Sequence, residues 1–153
     1  MPVTIMAVLV GSKFGAQRGV SCAILVTLAS NAVLGHGWWS LFQMIGWGSV
    51  AAVASLMSVH DSSGNLSMNR LLFSSLWSVP IFSIIVSFSI LDSSMSMIEF
   101  GLYVANGLLY DVLHFLGNVF FAMWFGQWFE RLLSMNEPHN RLVQQESEHV
   151  STF

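Results

Sequence analysis

The stretch LLFSSLWSVPIFSIIVSFSIL, residues 71–91, decides the fold class of this chain. It is mostly apolar, contains no Asp, Glu, Lys or Arg, and has the length of about 20 residues that a helix needs to cross a bilayer. Lipid offers no hydrogen bonds to backbone N–H and C=O groups, so such a run is helical unless it alternates like a barrel strand, and this one does not. The sequence therefore predicts a membrane-spanning helix here.

Composition extends this prediction to the whole chain. Of its 153 residues, 54% are hydrophobic and 8% are charged, whereas a soluble domain carries about a quarter charged residues. Four more apolar stretches cover residues 2–11, 20–34, 41–59 and 102–133. We therefore expect an all-α membrane protein with a bundle of about five transmembrane segments over residues 1–133 and a cytoplasmic, disordered tail over residues 134–153. No basic patch of the kind that binds nucleic acid is present.

The first and last stretches do not have the length of one membrane crossing. Residues 2–11 are too few, so we expect them to be part of a span that belongs to a longer sequence. Residues 102–133 would extend about 48 Å as one helix, against a hydrocarbon core of about 30 Å. We therefore predict a break near Asn106 and Gly107, with an outer or re-entrant piece before it and a crossing helix over residues 110–132.

The positive charges predict the orientation. All the Lys and Arg residues fall on one side of an alternating topology, namely Lys13, Arg18, Arg70, Arg131 and Arg141. Positive residues in short loops concentrate on the cytoplasmic side of a membrane. We therefore predict a multi-pass protein of the plasma membrane with residue 1 outside and the C-terminus in the cytoplasm.

A first group of polar and aromatic residues lies around the loop that follows the second stretch. Its members are Asn31, His36, Trp38, Trp39, Gln43 and Trp47. Gln43 and Trp47 are four residues apart and share one helix face. The group predicts the mouth of a ligand site, although Trp38 and Trp39 are equally well explained as aromatic residues anchored at the membrane interface.

A second group lies on the last stretch, where Asp111, His114 and Asn118 are spaced to fall on one helical stripe. A carboxylate within the bilayer costs about 2.5 to 3.5 kcal/mol at the helix centre, so it usually faces a cavity or a partner. The stripe predicts a hydrogen-bonding floor for a ligand. The alternative is that Asp111 and His114 pair with each other and lock the bundle.

Metal or cofactor binding is not expected. Asp111 and His114 are two candidate metal ligands, and His36 is a candidate third ligand. Cys22 is the one cysteine, which excludes an intramolecular disulfide and a cysteine-based zinc site.

Small residues and serines suggest how the helices pack. Gly48, Ala52 and Ser55 line one face of the third stretch, where they allow helix backbones to approach closely. They serve packing inside the bundle or, as the sharper prediction, docking onto another subunit. The serines of residues 71–91 can bond back to their own helix, and none has the neighbours of a nucleophile.

Three stretches resemble one family. Residues 31–56, NAVLGHGWWSLFQMIGWGSVAAVASL, resemble the middle of the S component of energy-coupling factor (ECF) transporters, in which a Gly-Trp loop leads into a Gln-Met helix rich in small residues. Residues 110–126, YDVLHFLGNVFFAMWFG, resemble the final helix of that component. Residues 11–19, with Gly15 and Arg18, are similar to the turn before its third helix. Residues 71–101 match in hydropathy alone.

The resemblance implies a six-helix fold that binds a vitamin or related micronutrient from outside. It also implies partners, a transmembrane T component and two ATPase subunits. The chain departs from this plan at its start, where the family's first helix is missing and the second is clipped. It has no Gly-rich phosphate-binding loop of the Lys-Ser/Thr type, so we expect it not to hydrolyse ATP itself.

Three functions remain open from the sequence. The first is capture of a small molecule by a non-catalytic importer subunit. The second is a small intramembrane enzyme that uses Asp111 and His114 as an acid and base pair. The third is a purely structural membrane subunit. A polar cavity lined by aromatic residues favours capture, whereas a dry and filled bundle favours a structural role.

Overall fold

A computed structural model describes residues 2–91 and 94–135. It contains five α-helices: α1 (Pro2–Phe14), α2 (Ala16–Leu34), α3 (Trp39–Ala54), α4 (Met68–Ser87) and α5 (Met97–Ser134). A short 3-10 turn, Phe88–Ile90, follows α4. No β-strand occurs in these two ranges, so the prediction of an all-helical chain with five segments is confirmed. Arg141 and the predicted tail beyond residue 135 lie outside the described residues.

The third helix is shorter than the sequence predicted. The apolar stretch continues to residue 59, but α3 ends at Ala54. Val59 is nevertheless fully buried in the core, and its backbone N–H donates to the Ser12 hydroxyl over 3.1 Å. Val59 therefore enters the core from a loop, while Leu56 before it is exposed, and hydropathy alone does not distinguish such a loop from a helix.

The predicted break near Asn106 and Gly107 is wrong. Helix α5 runs without interruption over 38 residues, which is about 57 Å at 1.5 Å per residue. A single glycine costs a helix only about 1 kcal/mol, and an unbroken helix keeps every backbone hydrogen bond within the segment. The excess length over the hydrocarbon core is accommodated by tilt or by extension into the interface.

A capping box fixes the start of α5. The Ser96 hydroxyl accepts from the Glu99 backbone N–H, and the Glu99 carboxylate accepts from the Ser96 backbone N–H over 2.8 Å. Each interaction satisfies a backbone group that the first turn would leave unpaired. The helix therefore begins ten residues before the predicted break, at a signal that hydropathy does not contain.

Three of the helices are long and apolar enough to cross a membrane, namely Ala16–Leu34, Met68–Ile90 with its 3-10 turn, and Met97–Ser134. In α5 only 11% of the most apolar window is buried inside the protein. Its outward face carries large apolar side chains, including Leu109, Leu116, Phe120, Met123 and Trp124. Exposure of so large an apolar face to water is unfavourable, whereas its contact with lipid chains is not. These helices support residence in a membrane.

Helix α1 lies at the centre of the bundle. Val8 and Leu9 are completely buried, and so is Thr4. The backbones of α1 and α3 approach so closely that a Cβ atom on Gly11 would lie 2.3 Å from the Ala51 carbonyl oxygen. A Cβ on Gly19 of α2 would lie 2.7 Å from the Cα of Gly11. Three helices therefore meet at residues that have small side chains.

The predicted docking face of α3 is largely inside this packing. Gly48 is buried, and a Cβ on it would contact Val20 at 3.6 Å. Ser55 bonds back to the Ala52 carbonyl oxygen over 2.6 Å. Gly48 therefore serves packing within the bundle, while docking at the half-buried Ala52 and Ser55 stays a prediction.

A polar network closes the end of the bundle where α1 and α5 finish. Lys13 forms an ion pair of 2.6 Å with Glu130 and donates to the Ser134 hydroxyl over 2.6 Å. His60, from the loop between α3 and α4, lies 3.1 Å from the same Glu130 oxygen. The network ties α1, that loop and α5 together at the end that also carries Arg18, Arg70 and Arg131.

Replacement of Gly11 by Ala should destabilise the bundle, because the new methyl group meets the Ala51 backbone rather than a flexible side chain. Overpacking of this kind costs about 1 to 3 kcal/mol. Thermal unfolding of the purified protein in detergent measures the loss. Gly101→Ala, at an exposed position of α5 with nothing within 4 Å, is the matched control and should unfold at or above the wild-type temperature. Equal melting temperatures for the two variants would contradict the close approach.

Glu130→Ala should leave Lys13 without its carboxylate in a place where both side chains are nearly buried, 11% and 13% exposed. Loss of one partner of a buried ion pair costs about 3 kcal/mol or more. The double variant Lys13→Met, Glu130→Met should be less destabilised than the sum of the single changes, as measured by denaturant titration in mixed micelles. Arg131→Ala, at the exposed neighbouring position, should change stability by less than about 0.5 kcal/mol. Additive effects of the two Met substitutions would argue against a functioning ion pair.

Candidate functional site

A cleft of about 500 Å³ lies between the C-terminal half of α4 and the N-terminal half of α5. It is at the opposite end of the bundle from the Lys13 network. The residues that line it are Phe82, Ser83, Val86, Ser87, Tyr103, Asn106, Gly107, Tyr110, Asp111, Leu113 and His114. Two of the predicted site residues, Asp111 and His114, are among them.

Asp111 is half-buried in the wall of the cleft. Its Oδ2 atom accepts a hydrogen bond of 3.0 Å from the Ser83 hydroxyl of α4. The other partnered serines of this helix, Ser75, Ser78 and Ser87, bond back to backbone carbonyl groups of α4 as the sequence predicted. Ser83 therefore differs from them in holding a carboxylate across the helix interface.

His114 is buried one turn below Asp111. Its Nε2 atom lies 3.2 Å from the Thr4 hydroxyl of α1, and the Trp47 indole N–H donates to the same hydroxyl over 3.3 Å. Thr4 can accept from Trp47 while it donates to His114, which then carries its own proton on Nδ1. One hydroxyl thus links α1, α3 and α5 beneath the cleft.

Aromatic rings support this polar link. Phe82 stacks on Trp47 with ring centroids 4.6 Å apart and meets the His114 ring edge to face at 5.3 Å. A Cβ on Gly46 would lie 2.9 Å from the Phe82 ring, so the glycine leaves room for that ring. Trp47 therefore lies behind the cleft wall, and Phe82 is the ring that faces the space.

Asn118 does not reach the cleft. It lies one turn beyond His114, is completely buried, and belongs to the interior of the bundle. The predicted stripe on α5 is real, but it runs from the cleft at Asp111 into the core at Asn118.

The predicted mouth around the α2–α3 loop is a separate polar cluster. The Asn31 side-chain amide donates to the Ser40 hydroxyl and to Gln43 Oε1, both over 2.9 Å. The Gly37 backbone N–H donates to the same Ser40 hydroxyl over 3.3 Å. Asn31 and Gln43 thus bond each other and stabilise the loop rather than lining the cleft.

The aromatic residues of that loop lie on the surface. Trp38 is 67% exposed and contacts Phe42 edge to face at 5.7 Å. Trp39 covers Gly37 so closely that a Cβ there would overlap its ring, and His36 is exposed. None of the three lines the cleft, so Trp47 is the member of the first predicted group that the structure brings near the second, through Thr4 and His114.

Asp111 and His114 do not lock the bundle by pairing with each other. Asp111 bonds to α4 through Ser83, whereas His114 bonds to α1 through Thr4. Within residues 2–91 and 94–135 no group of three His, Cys, Asp or Glu side chains that could hold a metal ion occurs.

Several cleft residues were missed from the sequence. Tyr103, Gly107 and Tyr110 precede Asp111 at helical spacing and share its face. The predicted break at Asn106 and Gly107 placed Tyr103 in a different segment from Asp111, whereas the continuous helix puts both on one face. Thr4 and Phe82 belong to other helices, and only their packing brings them near His114.

No protein-family model, curated protein or solved structure matches this chain. Function is therefore inferred from the cleft, from the charges around it and from the sequence patterns described above.

Thr4→Val should destabilise the bundle, because it removes the hydroxyl that serves both the Trp47 N–H and His114 while keeping the side-chain volume. Hydrogen bonds within membrane proteins contribute about 1 kcal/mol each, so a loss of about 1 to 2 kcal/mol is expected. Chemical unfolding followed by tryptophan fluorescence measures it. Thr4→Ser, which keeps the hydroxyl, is the control and should lose less. A Val variant as stable as the Ser variant would show that the link contributes nothing.

Proposed function

We propose that this chain is the substrate-binding subunit of an ECF-type importer for a vitamin or related micronutrient. In this role it encloses a small molecule in the cleft between α4 and α5 and catalyses no reaction, because ATP is hydrolysed by partner subunits. The single observation that carries the proposal is the cleft, an unfilled space of about 500 Å³ with a carboxylate in its wall. A protein that only fills space in a membrane has no need of either feature.

The lining suits a small planar molecule with polar edges. Binding pockets for such molecules are about 300 to 1,000 Å³, mostly apolar, with a few placed polar groups. Here Phe82 and Tyr103 offer ring faces, while Asn106, Asp111 and His114 offer hydrogen-bonding groups. This combination supports capture of a ring system that carries polar substituents.

The position of the cleft supports capture from outside. It lies at the opposite end of the bundle from Lys13, Arg18, Arg70 and Arg131, which the positive-inside rule assigns to the cytoplasm. Asp111 and Glu130 are 19 residues apart on α5, or about 28 Å along the axis, close to the thickness of a hydrocarbon core. The proposal therefore places the cleft near the outer surface of the plasma membrane and the C-terminus in the cytoplasm.

The partners of this proposal are a membrane-embedded T component and two ATPase subunits. Ala52 and Ser55 of α3 are the half-buried small residues available to a partner helix. The enzyme alternative has less support, because His114 Nε2 lies against the Thr4 hydroxyl and Asp111 accepts from Ser83, so the two side chains are not hydrogen-bonded to each other.

Binding of a panel of B vitamins and queuosine precursors to the purified chain tests the proposal. At least one member should bind at micromolar concentration or below, as measured by equilibrium dialysis. Tyr103→Ala, which removes an exposed ring from the cleft rim, should weaken that binding by about tenfold. Trp38→Ala removes another exposed ring, at the same end of the bundle but outside the cleft, and is the matched control.

Two results would count against the proposal. If no member of the panel bound at micromolar concentration, capture of this class of molecule would be excluded. If Trp38→Ala abolished binding while Tyr103→Ala did not, the ligand would be held by the α2–α3 loop instead of the cleft.

A further inference from the structure

The charge of the cleft defines a class of ligand. We infer that the cleft binds an organic cation, a flat molecule with a protonated amine or a positively charged ring, whose charge pairs with Asp111. The inference rests on the proposed function, because it describes the molecule that the cleft would capture. The shape of the cleft alone does not specify the charge of its ligand, whereas the Asp111 carboxylate favours a cation.

The lining of the cleft contains the Asp111 carboxylate and no Lys or Arg side chain. Its polar side chains are the Asp111 carboxylate, the His114 imidazole, and the uncharged groups of Ser83, Ser87, Asn106 and two tyrosines. The described Lys and Arg residues all lie at the far end of the bundle, where Lys13 is bound to Glu130 and Arg70 donates to the His60 carbonyl. An anionic ligand in this cleft would meet the Asp111 carboxylate with no Lys or Arg side chain to compensate.

The hydrogen-bond partner of Asp111 is an uncharged hydroxyl. In the described part of the chain its hydrogen bond comes from the Ser83 hydroxyl, and no ion pair to it occurs there. A carboxylate near the bilayer usually faces a cavity or a compensating charge. Asp111 already faces the cavity, so a bound cation would supply the compensating charge.

Aromatic side chains also line the cleft. The rings of Phe82, Tyr103 and Tyr110 border the same space as the Asp111 carboxylate. Aromatic faces attract cations through the ring quadrupole, and Arg or Lys side chains that would compete for these faces are absent from the lining. A carboxylate together with several ring faces is the combination that recognises amines and quaternary ammonium groups.

Three probes of one shape and different charge test this inference. They are 1-methyl-4-phenylpyridinium (positive), 4-methylbiphenyl (neutral) and biphenyl-4-carboxylate (negative). The chain is purified in dodecyl maltoside with an uncharged N-terminal extension, so that an α-amino group at residue 1 adds no competing positive charge. Affinities are measured by quenching of tryptophan fluorescence.

The cation should bind at least about tenfold more tightly than the neutral probe, which corresponds to about 1.4 kcal/mol. The anion should bind most weakly. Asp111→Asn should remove the preference for the cation and leave the affinity for the neutral probe within about twofold. Glu99→Gln, which removes another carboxylate of α5 that does not line the cleft, should keep the preference.

The failures are distinguishable. If the three probes bound equally, or if Asp111→Asn kept the preference, the charge inference would be overturned while capture by the cleft stood. If none of the probes bound while a member of the vitamin panel did, the charge inference would be overturned and capture would stand; if neither the probes nor the panel bound, both would be overturned. If dihexanoylphosphatidylcholine displaced the cation more effectively than free choline did, the occupant would be a lipid headgroup, and assignment to a soluble ligand would be wrong.

Discussion

The rest of the structure depends on the close approach of α1, α2 and α3 at Gly11, Gly19 and Ala51. Without side chains at the two glycines, the backbones come near enough for α1 to lie inside the bundle rather than at its edge. A buried α1 then reaches α5 at both of its ends, through Thr4 to His114 and through Lys13 to Glu130. The close crossing of α1, α2 and α3 therefore determines where the Thr4–His114 and Lys13–Glu130 interactions form.

The polar side chains inside the bundle are arranged as expected for surroundings of low dielectric constant. Most of those inside it are satisfied by another helix or by their own backbone, because an unpaired polar group is costly where water is scarce. Thr4, Asn31 and Ser75 follow this rule. Asp111 departs from it, since a charged group there faces an open cleft with one neutral donor. That departure is the chemical reason for regarding the cleft as a site for a ligand.

The tertiary structure moves the expected site. The sequence, with its resemblance to ECF S components, predicted a site formed by the Gly-Trp loop together with the final helix. Asn31 of α2 and Gln43 of α3 instead hydrogen-bond each other beside the loop, whereas Trp47 bonds to Thr4 beneath His114. The site that emerges is built from α4 and α5, and α4 contributes Phe82 and Ser83 from the stretch whose sequence carried only a hydropathy signal.

The sequence by itself determined the apolar all-helical class, the five helical segments and the common helix face of Asp111 and His114, because hydropathy and helical spacing are local properties. It did not determine the continuity of α5 through Gly107, where the small cost of one glycine is outweighed by the backbone hydrogen bonds that an unbroken helix keeps. Nor did it determine the partners of His114, since Thr4 is 110 residues away along the chain. Only tertiary structure decides such contacts, because they depend on how closely three helices cross, and that distance is fixed by packing rather than by local sequence.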